Sequence, residues 1–164
     1  MPNDRIILGI DPGYGRVGYG AISVSGPNLA LITYGCITTT KAWTQPRRLQ
    51  EIAKTIRRLL KTIHPDLVAV EKLFFAKNAR TALGVSEARG VITCTVQEAG
   101  YPTVEFTPAE IKLAVTGHGR AEKRQVQLLV ERLLKIKESI ASDDAADALG
   151  IAICAAQVRA LPKQ

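Results

Sequence analysis

Two short apolar runs in the sequence each end in a carboxylate, and this pattern limits the possible folds more than any other feature. The first run is residues 5–11, RIILGID, which ends at Asp11 before Pro-Gly. The second is residues 67–71, LVAVE, which ends at Glu71. Short continuous apolar runs are typical of strands that are buried on both faces of a sheet. A carboxylate at the end of such a strand needs a cation or another partner, because its burial alone is costly.

The segments around these two runs predict how the strands are connected. Residues 18–25 and 29–39 are rich in β-branched and aromatic residues and are separated by Gly-Pro-Asn, which predicts an antiparallel pair. Helical spacing and small-residue content predict helices over 47–63, 79–99, 108–117, 121–135 and 142–159. Residues 103–106 are predicted to form one more strand. We therefore predict one α/β domain over residues 1–164, with a five-stranded mixed sheet in which three antiparallel strands precede two parallel ones, flanked by helices.

The charge balance points to an anionic partner. The chain carries 22 Lys plus Arg against 15 Asp plus Glu, a net charge of +7. This excess fits nucleic acid, although many basic proteins bind none. No apolar run is long enough to span a membrane and the N-terminus does not resemble a secretion signal, so we expect a cytoplasmic protein. Cys36, Cys94 and Cys154 match no zinc or disulfide spacing and are predicted to be reduced thiols in or near the core.

A third acidic group begins the last predicted helix, in the segment SDDAADALG. Acidic residues in a first turn complement the helix dipole, which explains Asp143 without any further role. The same explanation suits Asp147 poorly, since it lies a turn later among alanines. Asp144 and Asp147 share a face at i, i+3, and Asp143 and Asp147 share one at i, i+4. Spacing alone therefore leaves the pairing within this group open.

Each strand-end carboxylate could have a purely structural role instead of a functional one. Asp11 belongs to Asp-Pro-Gly, a common surface turn, and Glu71 precedes Lys72, a possible salt-bridge partner. However, α/β proteins place their ligands at the carboxyl ends of parallel strands. If the fold brings these acids and the helical acids together, a divalent metal is the usual relief of their repulsion. An acidic cluster in a basic chain then indicates a metal-dependent enzyme whose substrate is a polyanion.

Several motifs together resemble a known family. They occur in the family's order over roughly residues 5–158, and they are IILGIDPGYGRVGYG, VEKLFFAKN, EARGV, PAEIKLAVTGHGRAEKRQV and DDAADALGIAI. With these motifs the chain resembles the RuvC-type Holliday-junction resolvases, which have the ribonuclease-H-like fold. The resemblance implies an endonuclease that resolves four-way DNA junctions in recombination and repair, by symmetric nicks in opposite strands that leave 5′-phosphate and 3′-hydroxyl ends.

The resemblance also implies the roles of the acidic residues. Asp11, Glu71, Asp144 and Asp147 match the family's catalytic and metal-binding positions, and Asp143 is left as a helix-start acid rather than a ligand. The implied cofactor is Mg²⁺, two ions per subunit, with Mn²⁺ as a substitute. Oxygen-only ligands agree with this choice of metal.

Four further residues are implied to contact DNA. Phe74 matches the position that stacks on a base near the crossover, and Lys77, Lys112 and Lys123 match basic positions near the backbone or the active site. Packing in the core explains a Phe equally well, and solvated helix charge explains the lysines. The resemblance further implies a homodimer and a branch-migration motor as partners. The small residues of the helix over 79–99 suit a dimer contact, or packing against the chain's own sheet.

Three other functions compete with this interpretation. A ribonuclease-H-like nuclease that acts on RNA or on other branched DNA would keep the fold and change the substrate. An actin-like nucleotide-binding switch also opens with Asp-x-Gly, but it needs a second domain for which 164 residues leave no room. A DNA-binding module without catalysis fits poorly, because carboxylates repel DNA unless a metal is present.

Overall fold

The computed structural model describes residues 4–73 and 79–158, with only the backbone for 79 and 80. The elements along the chain are β1 (Arg5–Asp11), β2 (Arg16–Ser25), β3 (Asn28–Thr38), α1 (Gln45–Ile63), β4 (Leu67–Glu71), α2 (Ala79–Glu98), β5 (Thr103–Phe106), α3 (Pro108–Thr116), α4 (Lys123–Leu133) and α5 (Asp143–Ala156). Within the described ranges, none of these helices is long and apolar enough to cross a membrane.

The sheet has the predicted mixed arrangement. Its strand order is β3-β2-β1-β4-β5. The strands β1, β2 and β3 pair antiparallel, while β4 pairs parallel with both β1 and β5. Ile10 lies beside Val70 in the register of β1 and β4. The next residue on each strand is the acidic one, so Asp11 and Glu71 end neighbouring strands at the same edge of the sheet.

Both faces of the sheet are covered, which is why the two apolar runs show no polar alternation. On one face Ile7, Leu67 and Ala69 pack in a core with α3, α4 and α5. On the other, residues such as Leu8 and Val68 pack in a core with α1 and α2. Because successive side chains of a strand point to opposite faces, β1, β2, β3 and β4 contribute to both cores.

Helix α5 lies unusually close to β1 and β2. A Cβ built on Gly9 would stand 2.1 Å from the carbonyl oxygen of Ala148, and one built on Gly18 would stand 1.9 Å from that of Asp144. Only a residue without a side chain permits these approaches. The glycines of GIDPGYGRVGYG therefore set the position of the start of α5 over the ends of β1 and β2.

Some predicted boundaries are wrong, for identifiable reasons. The last helix ends at Ala156 rather than at residue 159, and Arg5 donates to the carbonyl oxygens of Ala156 and Val158 at this point. Helix α4 spans Lys123–Leu133 rather than 121–135; Glu122 is its N-cap, and Lys135 has a left-handed φ of 54°. Strand β2 begins at Arg16, two residues before the predicted start.

Helix α2 uses part of its small-residue content for packing within the chain. Ala88, Ile92 and Val96 are buried against α1 and the sheet. A Cβ on Gly84 would stand 1.8 Å from the ring of Tyr14, so this glycine accommodates the β1–β2 turn. Asn78, which the sequence predicts as the N-cap of this helix, lies outside the described ranges. The other face of the helix, which includes Leu83, is exposed.

The three cysteines are free thiols. Cys154 is buried, and burial raises its pKa to about 11. Cys36 is half-buried. The prediction of thiols in or near the core is wrong for Cys94, which is exposed on the outer face of α2.

Candidate active site

The two strand-end carboxylates lie on the face of the sheet that α5 covers. The side chains of Ile7 and Ala69 point toward α5, and the two-residue period of a strand gives Asp11 and Glu71 the same direction. The acidic start of α5 lies above them. Asp11 and Glu71 share a side-chain hydrogen bond, and Asp11 is also within electrostatic reach of Asp144 and Asp147. The fold therefore brings together the four acids that the sequence singled out.

The strand-end carboxylates lie in surroundings that oppose their ionisation. The pKa of Asp11 is raised to about 8, first by burial and then by repulsion from Glu71, Asp147 and Asp144. Burial and repulsion from Asp147 also raise the pKa of Glu71, although its hydrogen bond with Asp11 and the charge of Lys123 act in the opposite direction. Burial likewise raises the pKa of Asp147. Such a cluster is stable only if protons or cations compensate its charge.

Two basic side chains hold the acids of α5. The Nζ atom of Lys123 lies 3.2 Å from Oδ2 of Asp147 and 3.3 Å from Oδ2 of Asp143. Partial burial lowers the pKa of Lys123, but these carboxylates outweigh it and the net shift is upward. On the opposite side, Nε of Arg16 lies 2.9 Å from Oδ2 of Asp144. Each helical acid thus has a cation as its neighbour.

The first turn of α5 separates two roles that the sequence left unresolved. Ser142 is the N-cap, and its hydroxyl accepts a hydrogen bond from the backbone N–H of Ala145. Asp143 points to Lys123 and is largely exposed. It does not appear among the groups that shift the pKa of Asp11 or Glu71. Asp144 and Asp147 are therefore the acids of α5 whose charge raises the pKa of Asp11.

A cavity of about 200 Å³ opens beside the acids and is lined by Glu71, Asp147, Lys112 and Lys123, among others. Lys112 and Lys123 thus lie where the sequence predicted basic residues near the acids. Phe74 and Lys77, the other two predicted DNA contacts, lie outside the described residues.

The donor set of the site fits a divalent cation. In the described part of the chain, no three His, Cys, Asp or Glu side chains enclose a metal position as they stand. Asp144 and Asp147 point to Arg16 and Lys123 instead. The chemistry nevertheless matches, since hard cations prefer carboxylate oxygens, and the raised pKa of Asp11 reflects negative charge that a cation would compensate. Small side-chain rotations of the helical acids would be needed to enclose an ion.

Arg16 is a site residue that the sequence analysis missed. Besides Asp144, its guanidinium contacts the hydroxyl of Ser142. The predicted strand began at residue 18, which left Arg16 in the preceding turn. Had the strand been extended, the two-residue period would have placed Arg16 on the same face as Gly18, the partner of Asp11 in the register of β1 and β2.

Comparison with known proteins places this geometry in a family. Residues 7–155 match the family described as "Crossover junction endodeoxyribonuclease RuvC". The chain belongs to the RuvC family. A RuvC of Petrotoga mobilis is 51% identical over 149 residues, which cover 91% of each chain. One of Brevibacillus brevis is 49% identical over 154 residues, which cover 94% of this chain and 93% of that one.

Solved structures of RuvC proteins share the fold. Thermus thermophilus RuvC superposes with a TM-score of 0.85 at 32% identity, over 92% of this chain and 93% of that one. The same protein in complex with a Holliday-junction substrate gives a TM-score of 0.88 at 32% identity, over 93% of both. The predicted family, the ribonuclease-H-like fold and the class of enzyme, an endonuclease of four-way DNA junctions, are thereby confirmed.

Proposed function

We propose that this RuvC-family chain resolves four-way junctions by nicking two opposite strands symmetrically, with Asp11, Glu71, Asp144 and Asp147 at the point of cutting. The observation that carries the proposal is the convergence of these acids at one sheet edge, where burial and mutual repulsion raise the pKa of Asp11 to about 8. A fold keeps a destabilising cluster of this kind where function requires it.

The same acids are the proposed metal ligands. Oxygen-only donors favour Mg²⁺, with Mn²⁺ as a substitute, over zinc. We infer two ions per subunit, since a paired site can serve both the attacking and the leaving oxygen. When bound, such ions activate a water molecule and stabilise the leaving oxygen of an in-line displacement. The expected products are a 5′-phosphate and a 3′-hydroxyl.

The protein's own contribution is to position the acids and to attract the DNA backbone. Asp11 and Glu71 are fixed by strands that pair along their length, so their carboxylates have little freedom. Lys112 and Lys123 line the cavity beside them. A phosphate that enters this cavity would meet both ammonium groups, which stabilise its charge.

Cutting two opposite strands of a twofold junction calls for two sites related by twofold symmetry, and therefore for a homodimer. The outer face of α2 supports this arrangement, because Leu83 is 66% exposed and a Cβ built on Gly90 would meet no atom within 4 Å. Another helix can approach closely there. We further propose that Phe74 stacks on a base near the crossover and that Lys77 contacts the backbone.

The cellular setting follows from the substrate. Bacterial relatives carry the RuvC name and junctions arise on chromosomal DNA, so we place the activity in the cytoplasm. A branch-migration motor is the expected partner, as the resemblance to the family implies.

Cleavage of three substrates tests the proposal. A synthetic four-way junction, a matching linear duplex and an RNA–DNA hybrid are incubated with the protein, in Mg²⁺ and in chelator. We expect symmetric nicks in the junction alone, only with Mg²⁺. Asp11→Asn should abolish them while junction binding survives, and Asp4→Asn, an exposed residue away from the acids, should cut normally.

Two outcomes would contradict the proposal. Equal cutting of the linear duplex would show that cleavage does not depend on the four-way structure of the DNA. Preferential cutting of the RNA–DNA hybrid would favour the alternative, a ribonuclease-H-like nuclease that acts on RNA.

A further inference from the structure

A second cleft, of about 430 Å³, adjoins the acidic site at Asp144 and lies between the β1–β2 turn, the end of β3 and the start of α1. Strand β3 runs in the same direction as β1, since both are antiparallel to β2. The end of β3 is therefore at the same sheet edge as Asp11. The residues that matter for its chemistry are Tyr14, Arg16, Thr39, Lys41, Arg48 and Asp144. We call it the basic cleft.

Arg48 is a buried cation whose hydrogen bonds go only to neutral groups. Its residue is 7% exposed. Its Nε donates to the hydroxyl of Thr39 at 2.9 Å, and its Nη2 donates to the carbonyl oxygen of Tyr14 at 2.7 Å. The guanidinium also lies 4.7 Å from the centre of the Tyr14 ring. Among the described residues, no carboxylate forms an ion pair with Arg48.

A buried charge without a counter-ion is costly, and evolution usually supplies a partner for it. The other charged groups of the basic cleft do not provide one. Asp144 is its single acidic residue and is already paired with Arg16. Lys41 is exposed and adds another positive charge. The basic cleft therefore carries three cations and one committed carboxylate.

The start of α1 adds to this positive field. The first turn of the helix contains no acidic residue, and Thr44, its N-cap, makes no side-chain cap hydrogen bond within the described structure. The positive end of the helix dipole is thus unbalanced within the helix itself. Glu87 of α2 approaches this end only as far as Gln45, whose side-chain amide donates to it at 2.5 Å.

We propose that the basic cleft is a phosphate subsite, in which Arg48 and Lys41 bind a backbone phosphate of the DNA strand close to the one that is cut. The proposal rests on the function proposed above. Thr39 and Tyr14 accept from Nε and Nη2 of Arg48, so a phosphate would bind through the remaining N–H groups of the guanidinium. It would supply the counter-ion that Arg48 lacks among the described residues. Because the basic cleft shares Asp144 with the acidic site, a strand that lies across the acids also passes over the basic cleft.

The test combines neutral phosphates with neutral side chains. Junctions are made that each carry one methylphosphonate, a neutral phosphate analogue, at one position within about three nucleotides of the cut. Binding is measured in chelator, so that cleavage does not enter. For the wild-type protein we expect, apart from any phosphate that meets Lys112 and Lys123, a position at which the neutral linkage weakens binding by roughly tenfold, the loss of one charge-assisted contact.

Lys41→Gln and Arg48→Gln should remove most of that penalty, because the contact is already lost. On unmodified DNA, Lys41→Gln should also reduce the salt dependence of log K by about one unit of slope. Lys61→Gln is the matched control. This exposed lysine lies in the last turn of α1, and its variant should keep both the penalty and the slope.

Identical penalties in the wild-type protein and in both variants would overturn the proposal and leave Arg48 as a clamp for the β1–β2 turn. If Arg48→Gln fails to fold by thermal melting, Lys41→Gln alone decides the outcome. The failure of the proposed function would look different. Wild-type protein that binds duplex as well as junction would contradict junction resolution, while the penalties measured on that duplex would still test the phosphate subsite.

Discussion

The acids on the strands and the acids on α5 differ in how their charge is compensated. Asp11 and Glu71 face each other across a parallel strand pair, with a shared hydrogen bond and raised pKa values. Asp144 and Asp147 instead have Arg16 and Lys123 as partners, at 2.9 and 3.2 Å. Backbone pairing prevents the strand acids from moving apart. The helical acids lie beside flexible cations and can exchange partners at low cost.

This difference assigns separate tasks to the two pairs. Folding alone brings Asp11 and Glu71 together, in a place where burial and repulsion raise the pKa of both. The helical pair is paired with Arg16 and Lys123, and in the proposed function it would complete the donor set once these cations move. The following predictions test this division, from the largest expected effect to the smallest.

Removing the charge of a strand acid should have the largest effect on cleavage. We expect Asp11→Asn to lower the single-turnover cleavage rate by about 10³-fold, since a fixed group at the charge centre of a reaction contributes several kcal/mol. Asp144→Asn should lower it by less, because its side chain must first leave Arg16. Equal losses in the two variants, measured with saturating enzyme, would remove the distinction between the pairs.

The same Asp11→Asn change should stabilise the fold when chelator is present. Relief of a strained functional site typically contributes about 1–2 kcal/mol to the free energy of unfolding. The size of this gain depends on pH. The folded pKa of Asp11, about 8, lies above its ordinary value of 3.8, so its ionisation destabilises the fold increasingly as pH rises through that interval.

Urea unfolding at several pH values tests this pH dependence. The gain from Asp11→Asn should be largest near pH 9 and should vanish below about pH 4, where the wild-type carboxyl is protonated in both states. Asp143→Asn serves as a control, since its exposed carboxylate pairs with Lys123 outside the cluster. A wild-type protein more stable than Asp11→Asn at pH 9 would contradict the prediction.

Divalent metal should raise the melting temperature, and more at high pH. Mg²⁺ binds the folded protein and stabilises it in proportion to its occupancy. Protons compete for the same carboxylates, so the shift in Tm should be larger at pH 8.5 than at pH 6.5. Calorimetry in Mg²⁺ and in chelator measures it. A shift that persists undiminished in Asp11→Asn would locate the ions elsewhere.

Loss of a helical acid's cation should have the smallest effect on stability. Arg16 is more than half exposed, and exposed ion pairs contribute at most about 1 kcal/mol. Arg16→Gln should therefore unfold in urea almost as the wild-type protein does. A loss of several kcal/mol would make Arg16 part of the framework of the site.

The sequence was sufficient for the parts of the fold that depend on short-range patterns. The two apolar runs predicted β1 and β4 with their exact boundaries, because a strand covered on both faces leaves an uninterrupted signal. The carboxylates at their ends followed directly. Spacing could not choose among Asp143, Asp144 and Asp147, since a helix places all three near one another; the choice came from the family resemblance.

Contacts between residues that are distant in the chain could not be predicted from the sequence. Arg16 was missed because its strand continues into a turn that glycines and a proline obscure, and its partner is 128 positions away in the chain, at Asp144. The lack of a counter-ion for Arg48 is equally invisible, since it depends on how α1 packs against the end of β3. The roles of Phe74 and Lys77 stay predictions.

The close approach of α5 to Gly18 has a consequence for how mutations in this enzyme are interpreted. A methyl group at position 18 would collide with the backbone of Asp144 itself, so even Gly18→Ala must displace the start of α5 and with it two of the acids. In a screen that scores only cleavage, this glycine would be counted among the catalytic residues although it has no functional group. The positions of Asp144 and Asp147 thus depend on the lack of a side chain at residue 18.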